Sequence, residues 1–365
     1  MTPRVQQTLL ERVVEDDYRG TARSLEITGQ SIAPGTAGAL LREIGAEIHA
    51  ERFGPEATIR APQVAPPNPP ELLLLLGDGA RYRTNEADVR KTDDPQKRKA
   101  RGQVLTDEDR GWREDKVGVV VRARKGFVRP DGDYQPPEEV VKTYVATTGD
   151  IQQFGRDMRT EAERRGYLQA PVVVWCSDHG HGLPEMRARE FPRAHVVTDF
   201  FHTAERLAEC ARGVCGEGDV AKRPRQKFFH RLRALLYDGK LDKVLQTLSE
   251  EATRRSPRPK QPAALTENPL AQVLWTHVFY IEKHRDTMNY PLYRAQGWPI
   301  GSGAAESACG QFGNRFKHAR MRWTKVGAEA GHQVKAAILS QDGQWEQRWP
   351  PPIPLLDFEK TANWN

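Results

Sequence analysis

Cysteine is scarce in this chain. The four present, Cys176, Cys210, Cys215 and Cys309, are scattered over 365 residues with no CxxC pair. That spacing excludes a disulfide framework and a structural zinc ribbon, and buried thiols are the ordinary reading. Long apolar runs are missing too. The longest aliphatic run, Leu72 to Leu76, falls far short of the ~20 residues a membrane span needs. The N-terminus carries no apolar signal-peptide core, so the expected compartment is the cytoplasm. No internal repeat is visible. An excess of acid is also lacking. The formal net charge is +6, and a basic balance points to a polyanionic partner, nucleic acid first.

Hydrophobic residues make up 38% and charged residues 28%, with 26 prolines and 30 glycines. A core can form, but the surface is very polar and loops are many. Arg4 to Ala22 carries Val5, Leu9, Leu10, Val13 and Val14 near helical spacing. Thr36 to Glu51 places Leu40, Leu41, Ile44 and Ile48 on one face, with Thr36 as its N-cap. Two helices joined by a short glycine-containing break over residues 1–60 fit a helix-turn-helix or an ordinary helical hairpin. Residues 61–70 (APQVAPPNPP) read as a linker and domain boundary.

The aliphatic run after the linker reads as a buried strand ending at Asp78-Gly79. Residues 112–124 and 140–147 read as a second and third strand, and 150–166 as a helix. Residues 171–177 read as a fourth strand ending at Asp178, and 194–198 as a short fifth, with a helix from Phe200. Leu232, Leu235 and Leu236, then Leu241, Val244, Leu245 and Leu248, give residues 203–296 the pattern of a helical insertion. The expected class is α/β: a mixed sheet with flanking helices, assembled from 71–202 and 297–340, with a tail over 341–365.

Asp78 and Asp178 each end a buried strand, where α/β sheets bind ligands. Two converging carboxylates repel unless a cation lies between them, and magnesium takes such oxygen ligands together with substrate phosphates. A two-ion site needs a further acid. Glu306, in Trp298-Pro-Ile-Gly-Ser-Gly-Ala-Ala-Glu306-Ser-Ala-Cys-Gly, is the candidate. A helix starting near Ser302 puts Glu306, Cys309, Gly310 and Gly313 on one face, whose small residues would pack tightly on the sheet. Continued, that helix carries Arg315, Lys317, His318, Arg320, Arg322 and Lys325 around Trp323, a cluster suited to a phosphate backbone.

Gly-Ser-Gly at 301–303 with Ala-Ala-Glu-Ser-Ala-Cys, and then Met321-Arg322-Trp323, resembles the C-terminal signature of DDE transposases of the ISKra group of bacterial insertion sequences. Leu-Gly-Asp78-Gly, Trp112-Arg-Glu-Asp-Lys116-Val-Gly-Val, and Ser177-Asp178 with Phe191-Pro-Arg-Ala and Thr198-Asp199-Phe-Phe-His202 agree in order, over residues 70 to 330. The resemblance implies an RNase H-like catalytic domain with a helical insertion, related to Mutator-like transposases. It implies two Mg2+ or Mn2+ ions held by Asp78, Asp178 and Glu306, with Asp199 and His202 as an accessory pair. DNA cleavage at transposon ends and strand transfer to target DNA would follow, in a nucleoid-associated bacterial protein. Pairing two ends implies a homodimer or higher assembly on DNA. The chain departs from the pattern at His179-Gly-His181, where relatives tend to have glycine after the aspartate.

Two other readings stand beside this one. Asp178-His179-x-His181, with His195, His202 and His230, would suit a transition-metal hydrolase. A transposase-derived DNA-binding protein without catalysis is the other. Gly-Ser-Gly at 301–303 is no dinucleotide fingerprint, since no strand precedes it. Trp275, Trp298 and Trp323 read as core residues, with base stacking as the sharper alternative.

Overall fold

The computed structural model describes residues 1–27, 29–55, 57, 70–85, 102, 106–107, 110–180, 182–261, 268–317 and 321–349. The 61–69 stretch of the expected linker, His181, Arg320 and residues 350–365 lie outside the described residues. The chain divides into two compact units. One gathers Met1–Val64, Arg81–Arg113 and Phe312–Asn365; the other is Ala65–Ala80 with Glu114–Gln311.

The second unit is built on a mixed sheet of order β5-β2-β1-β6-β7. Its strands are β1 (Leu72–Arg83), β2 (Trp112–Arg124), β5 (Glu138–Thr147), β6 (Val173–Ser177) and β7 (His195–Thr198). β1 and β2 each also contribute residues to the first unit. β3 (Phe127–Val128) and β4 (Tyr134–Gln135) form a small antiparallel ribbon that the sequence pattern did not reveal. β2 and β5 are antiparallel, while β1, β6 and β7 run parallel. The aliphatic runs are buried on both faces, as Leu72 to Leu76 at 0–5% exposure show. That is the pattern of a sheet covered on both sides.

Helix α4 (Ile151–Arg164) is capped by Asp150, which accepts from Gln152 and Gln153 N–H. Phe154, Met158 and Ala162, four residues apart, face the core at 0% exposure. Gly118 on β2 is what lets α4 approach, since a Cβ there would lie 2.2 Å from Met158 Sδ. Helix α5 (Leu183–Glu190) follows β6. After β7 come α6 (Phe200–Cys215), α7 (Lys222–Tyr237), α8 (Leu241–Thr253), α9 (Pro269–His284) and α10 (Tyr290–Ala295). This is the helical insertion, with α8 and α6 both packed on α9.

In the first unit the expected single helix 4–22 is two: α1 (Pro3–Val13) and α2 (Tyr18–Glu26). The break comes at Asp17, which accepts from Gly20 N–H at 2.6 Å and starts a new helix. α3 spans Pro34–Phe53 with Ala33, not Thr36, at the N-cap; Pro34 at the first turn sets the start. α3 packs on α12 (Lys325–Leu339), and Gly45 meets the Ala330 backbone directly. Residues 1–53 therefore group with the C-terminal part of the chain. Part of the expected tail is ordered as well: in α13 (Gln344–Gln347), Trp345 is 3% exposed and donates to Glu11. Among the described residues no helix is long and apolar enough to cross a membrane. The four cysteines are free; Cys176 and Cys210 are buried as expected, whereas Cys215 and Cys309 are partly exposed.

Helix α11 (Gly303–Phe316) carries Glu306 and corrects two expectations. Its buried stripe is Ala305, Ala308, Phe312 and Phe316. Gly310 and Gly313 have open space where a Cβ would sit, so they are not contact points. The helix also stops at Phe316 rather than running on through Lys325. Trp323 bridges to Thr84 instead, and Thr324 caps the new helix α12.

Candidate functional site

The sheet register brings the two aspartates together. β1 and β6 are parallel with Leu76 paired to Cys176. Asp78, still in β1, and Asp178, the first residue past β6, each lie two residues beyond that pair. Each carboxylate engages its own following turn: Asp78 Oδ1 accepts from Gly79 N–H and Asp178 Oδ1 from Gly180 N–H, both at 2.7 Å. The other oxygen of Asp178 takes no hydrogen bond from the described residues, and the Tyr280 hydroxyl donates to its backbone carbonyl at 3.3 Å. Burial first, then the charge of Asp178, pushes Asp78 above the usual carboxylate range. The Gly79 N–H and the Cys309 thiol pull it back.

Glu306 is delivered by a clamp built on Asp199. Asp199 is 0% exposed and caps α6, its Oδ1 accepting from Phe201 N–H at 2.6 Å and His202 N–H at 3.0 Å. Its Oδ2 accepts from Ser302 N–H at 2.5 Å and from the Ser302 hydroxyl. Phe200 N–H donates to the Ile300 carbonyl at 2.8 Å. Gly301 permits this approach, since a Cβ there would lie 2.4 Å from the Phe201 ring. The turn before α11 is thus fastened to the first residues of α6. One turn into each helix, His202 Nε2 stands 3.4 Å from Glu306 Oε1.

Burial raises Glu306 first, followed by the charge of Asp199; His202 lowers it, and Asp78 contributes as a neighbouring charge. Burial works against a charged His202, but Asp199, Glu306, Asp178 and Glu205 outweigh it and the imidazole is raised. Asp78 is thus within electrostatic reach of Asp178, and Glu306 of Asp78, while His202 feels both Asp178 and Glu306.

Asp199, His202 and Glu306 offer ligand atoms within 4.8 Å of one another. Asp199 is a poor ligand all the same. Four protein donors already occupy its two oxygens, which leaves a carboxylate little further capacity. Asp78, Asp178 and Glu306, the set expected from the sequence, do not come that close together among the described residues, though each carries fewer hydrogen bonds and offers the hard oxygen that Mg2+ or Mn2+ takes.

Cys309, read from the sequence as a buried thiol, is partly exposed and neighbours Asp78; burial and then that carboxylate raise it. The signal for it was its position three residues after Glu306 on one helix. The histidine cluster of the hydrolase reading does not assemble among the described residues. His179 Nε2 is 2.7 Å from Thr198 Oγ1 and its ring stacks on His284 at 4.0 Å, while His195 lies against Trp298.

Of the basic residues expected to hold DNA, Lys317, Arg322 and Lys325 are exposed. Arg315 is not: at 2% exposure it donates to the Val13 carbonyl at 2.7 Å and lies over Trp323 at 4.3 Å. Burial lowers it to about 10, so it remains a cation holding α1 and the 321–323 segment. Trp275, Trp298 and Trp323 are all under 9% exposed, as core residues are.

No protein-family model matches the chain, and no curated protein matches it in sequence. Among solved structures, the Drosophila P element transposase strand transfer complex aligns over 94% of this chain and 93% of that chain, with 10% sequence identity and a TM-score of 0.39. Likeness at that level establishes neither a shared fold nor a shared activity.

Proposed function

We propose that this chain is a DDE-type transposase that cleaves DNA and transfers strands, with Asp78, Asp178 and Glu306 as metal ligands. One observation carries the reading. Asp78 on β1 and Asp178 just past β6 follow paired positions of neighbouring parallel strands and support the reading of a shared site, with burial and then Asp178 lifting Asp78; Glu306 on α11 is lifted by burial and then Asp199, and Asp78 adds to it as a weaker neighbour. The strand order β5-β2-β1-β6-β7 supports an RNase H-like core, and the Glu306 helix after a helical insertion supports the transposase class.

Two divalent cations bound there would stabilise the attacking and leaving oxygens of an in-line phosphoryl displacement. The chain's own residues do the positioning. The Asp199–Ser302 clamp fixes where Glu306 sits, and the Gly79 N–H holds Asp78. His202, half-buried and raised, supplies a donor beside Glu306 for a phosphate oxygen. Lys317, Arg322 and Lys325 would contact the DNA backbone. No covalent protein–DNA intermediate is required, so no serine or tyrosine acts as nucleophile. Holding two element ends calls for a dimer or larger assembly on DNA.

The test is Mn2+ binding by calorimetry together with nicking of supercoiled DNA in Mg2+ or Mn2+. Asp78→Asn, Asp178→Asn and Glu306→Gln should each cut both by roughly 100-fold or more, since even outer-shell changes at metal sites cost 10–100-fold. Undiminished cation binding in all three variants would refute the assignment.

A further inference from the structure

Helix α7, Lys222–Tyr237, reads KRPRQKFFHRLRALLY. It holds six lysines and arginines and no acid, an excess as large as the formal +6 of the entire chain. The neighbouring α8 is mixed by contrast, with Asp242, Lys243, Glu250 and Glu251. Arg223, Lys227 and Arg231, four residues apart, form one exposed stripe. Successive members are about 6 Å apart along the axis. Among the described residues none of the three has an ion pair, a hydrogen bond or a ring contact.

This arrangement works against the helix itself. Like charges at i, i+4 destabilise, and Lys222, Arg223 and Arg225 crowd the N-terminal turn, where the helix dipole disfavours cations. Two of the other basic residues have local duties: Arg225 donates to the Gly216 carbonyl at 2.8 Å and Arg233 lies over the Phe200 ring at 5.2 Å. A stripe that costs helix stability and neutralises nothing inside the protein is suited to an external polyanion.

We infer that the Arg223–Lys227–Arg231 face of α7 binds the phosphate backbone of nucleic acid. A membrane surface is the other anionic partner, and the helix is poorly built for it. A membrane-surface helix needs a free apolar face to insert. The apolar side of α7 faces the protein: Leu232 and Leu236 are 0% exposed, and Phe228, Phe229 and Leu235 are half-buried, which leaves no fully exposed apolar face. What α7 offers outward is charge, which matches a phosphate backbone read without sequence. The inference extends the proposed function to a second surface for the same partner. It rests on the helix's charge and not on the carboxylates.

The full-length chain should be titrated with a labelled random-sequence DNA duplex over a range of salt, by fluorescence anisotropy. Each lost phosphate contact lowers the slope of log K against log salt by about 0.9 on duplex and about 0.7 on single strand. The triple variant Arg223→Ala/Lys227→Ala/Arg231→Ala is expected to lower the duplex slope by about 2–3 and weaken binding by roughly 10–100-fold at low salt. Circular dichroism and the heat of Mn2+ binding should stay as in the wild type. Arg223→Lys/Arg231→Lys should keep the slope. An unchanged slope in the triple variant overturns the inference, as does a wild-type chain that does not bind duplex. Vesicles of phosphatidylcholine and phosphatidylserine that bind as tightly as duplex and displace it would overturn it in favour of a membrane partner. Failure of the carboxylate reading would look different: Asp78→Asn would leave Mn2+ binding intact, and the DNA slope would not change.

Discussion

Asp199 and Glu306 are both acids near the same imidazole, yet they have opposite standing in the fold. Asp199 satisfies four donors while buried. Its replacement by alanine strips a helix cap and leaves Ser302 unpartnered, which should cost about 2–4 kcal/mol in denaturant unfolding. Glu306→Gln removes a charge that burial and Asp199 already disfavour, so unfolding should move by no more than about 0.5 kcal/mol while cation binding is lost. If Asp199→Ala left stability untouched, the clamp would be wrong. His284 supplies a pH dependence. Burial, then the neighbouring His179, Lys283 and Arg206, lower it from 6.5 to about 4, and Tyr280, Arg187, Asp286 and Thr287 are its other neighbours. The unfolded chain takes up this proton first as pH falls. Stability is therefore intact above about 6.5 and declines toward pH 4. Urea midpoints across that window should fall less steeply in His284→Gln, and an identical slope would exclude His284 as the source.

Among the elements, two glycines make opposite predictions. Gly→Ala inside a helix normally stabilises by about 0.5–1 kcal/mol. Gly310 has open space and should show that gain. At Gly45 a Cβ would lie 2.6 Å from the Ala330 backbone. Gly45→Ala should instead cost about 1–3 kcal/mol through overpacking of α3 on α12. Thermal unfolding of the two variants checks the signs. Composition could not separate these glycines, because openness is set by what packs opposite and not by the helix that carries them. The strands were more legible. Leu72 to Leu76 and Val172 to Cys176 are apolar runs of strand length, and each is followed two residues later by an aspartate. The break at Asp17 and the stop at Phe316 were not legible, since each depends on a cap or a bridge that competes with an unbroken helical pattern.

For the molecule as a unit, the N-terminal helices share their core with the C-terminal part of the chain as well as with one another. Arg315 and Lys335 reach the carbonyls of Val13 and Val14, Lys335 pairs with Glu15 at 2.8 Å, and Arg348 pairs with Glu51 at 2.6 Å. A fragment of residues 1–60 should show little cooperative unfolding by circular dichroism. Removing residues 341–365 should destabilise the remainder by about 3–5 kcal/mol, the usual cost of losing a buried tryptophan such as Trp345. A well-folded fragment would restore the helix-turn-helix domain that the sequence pattern allows. Nothing local in residues 1–60 announces their partners, because contacts across some 280 residues leave no periodic trace. The interleaving also has a consequence for synthesis. At about 5–20 residues per second, the Gly45 face of α3 leaves the ribosome roughly 15–60 s before Ala330 does. For that interval the face of α3 that α12 covers is open to chaperones and proteases, and it is hidden only once Lys325–Leu339 has been made.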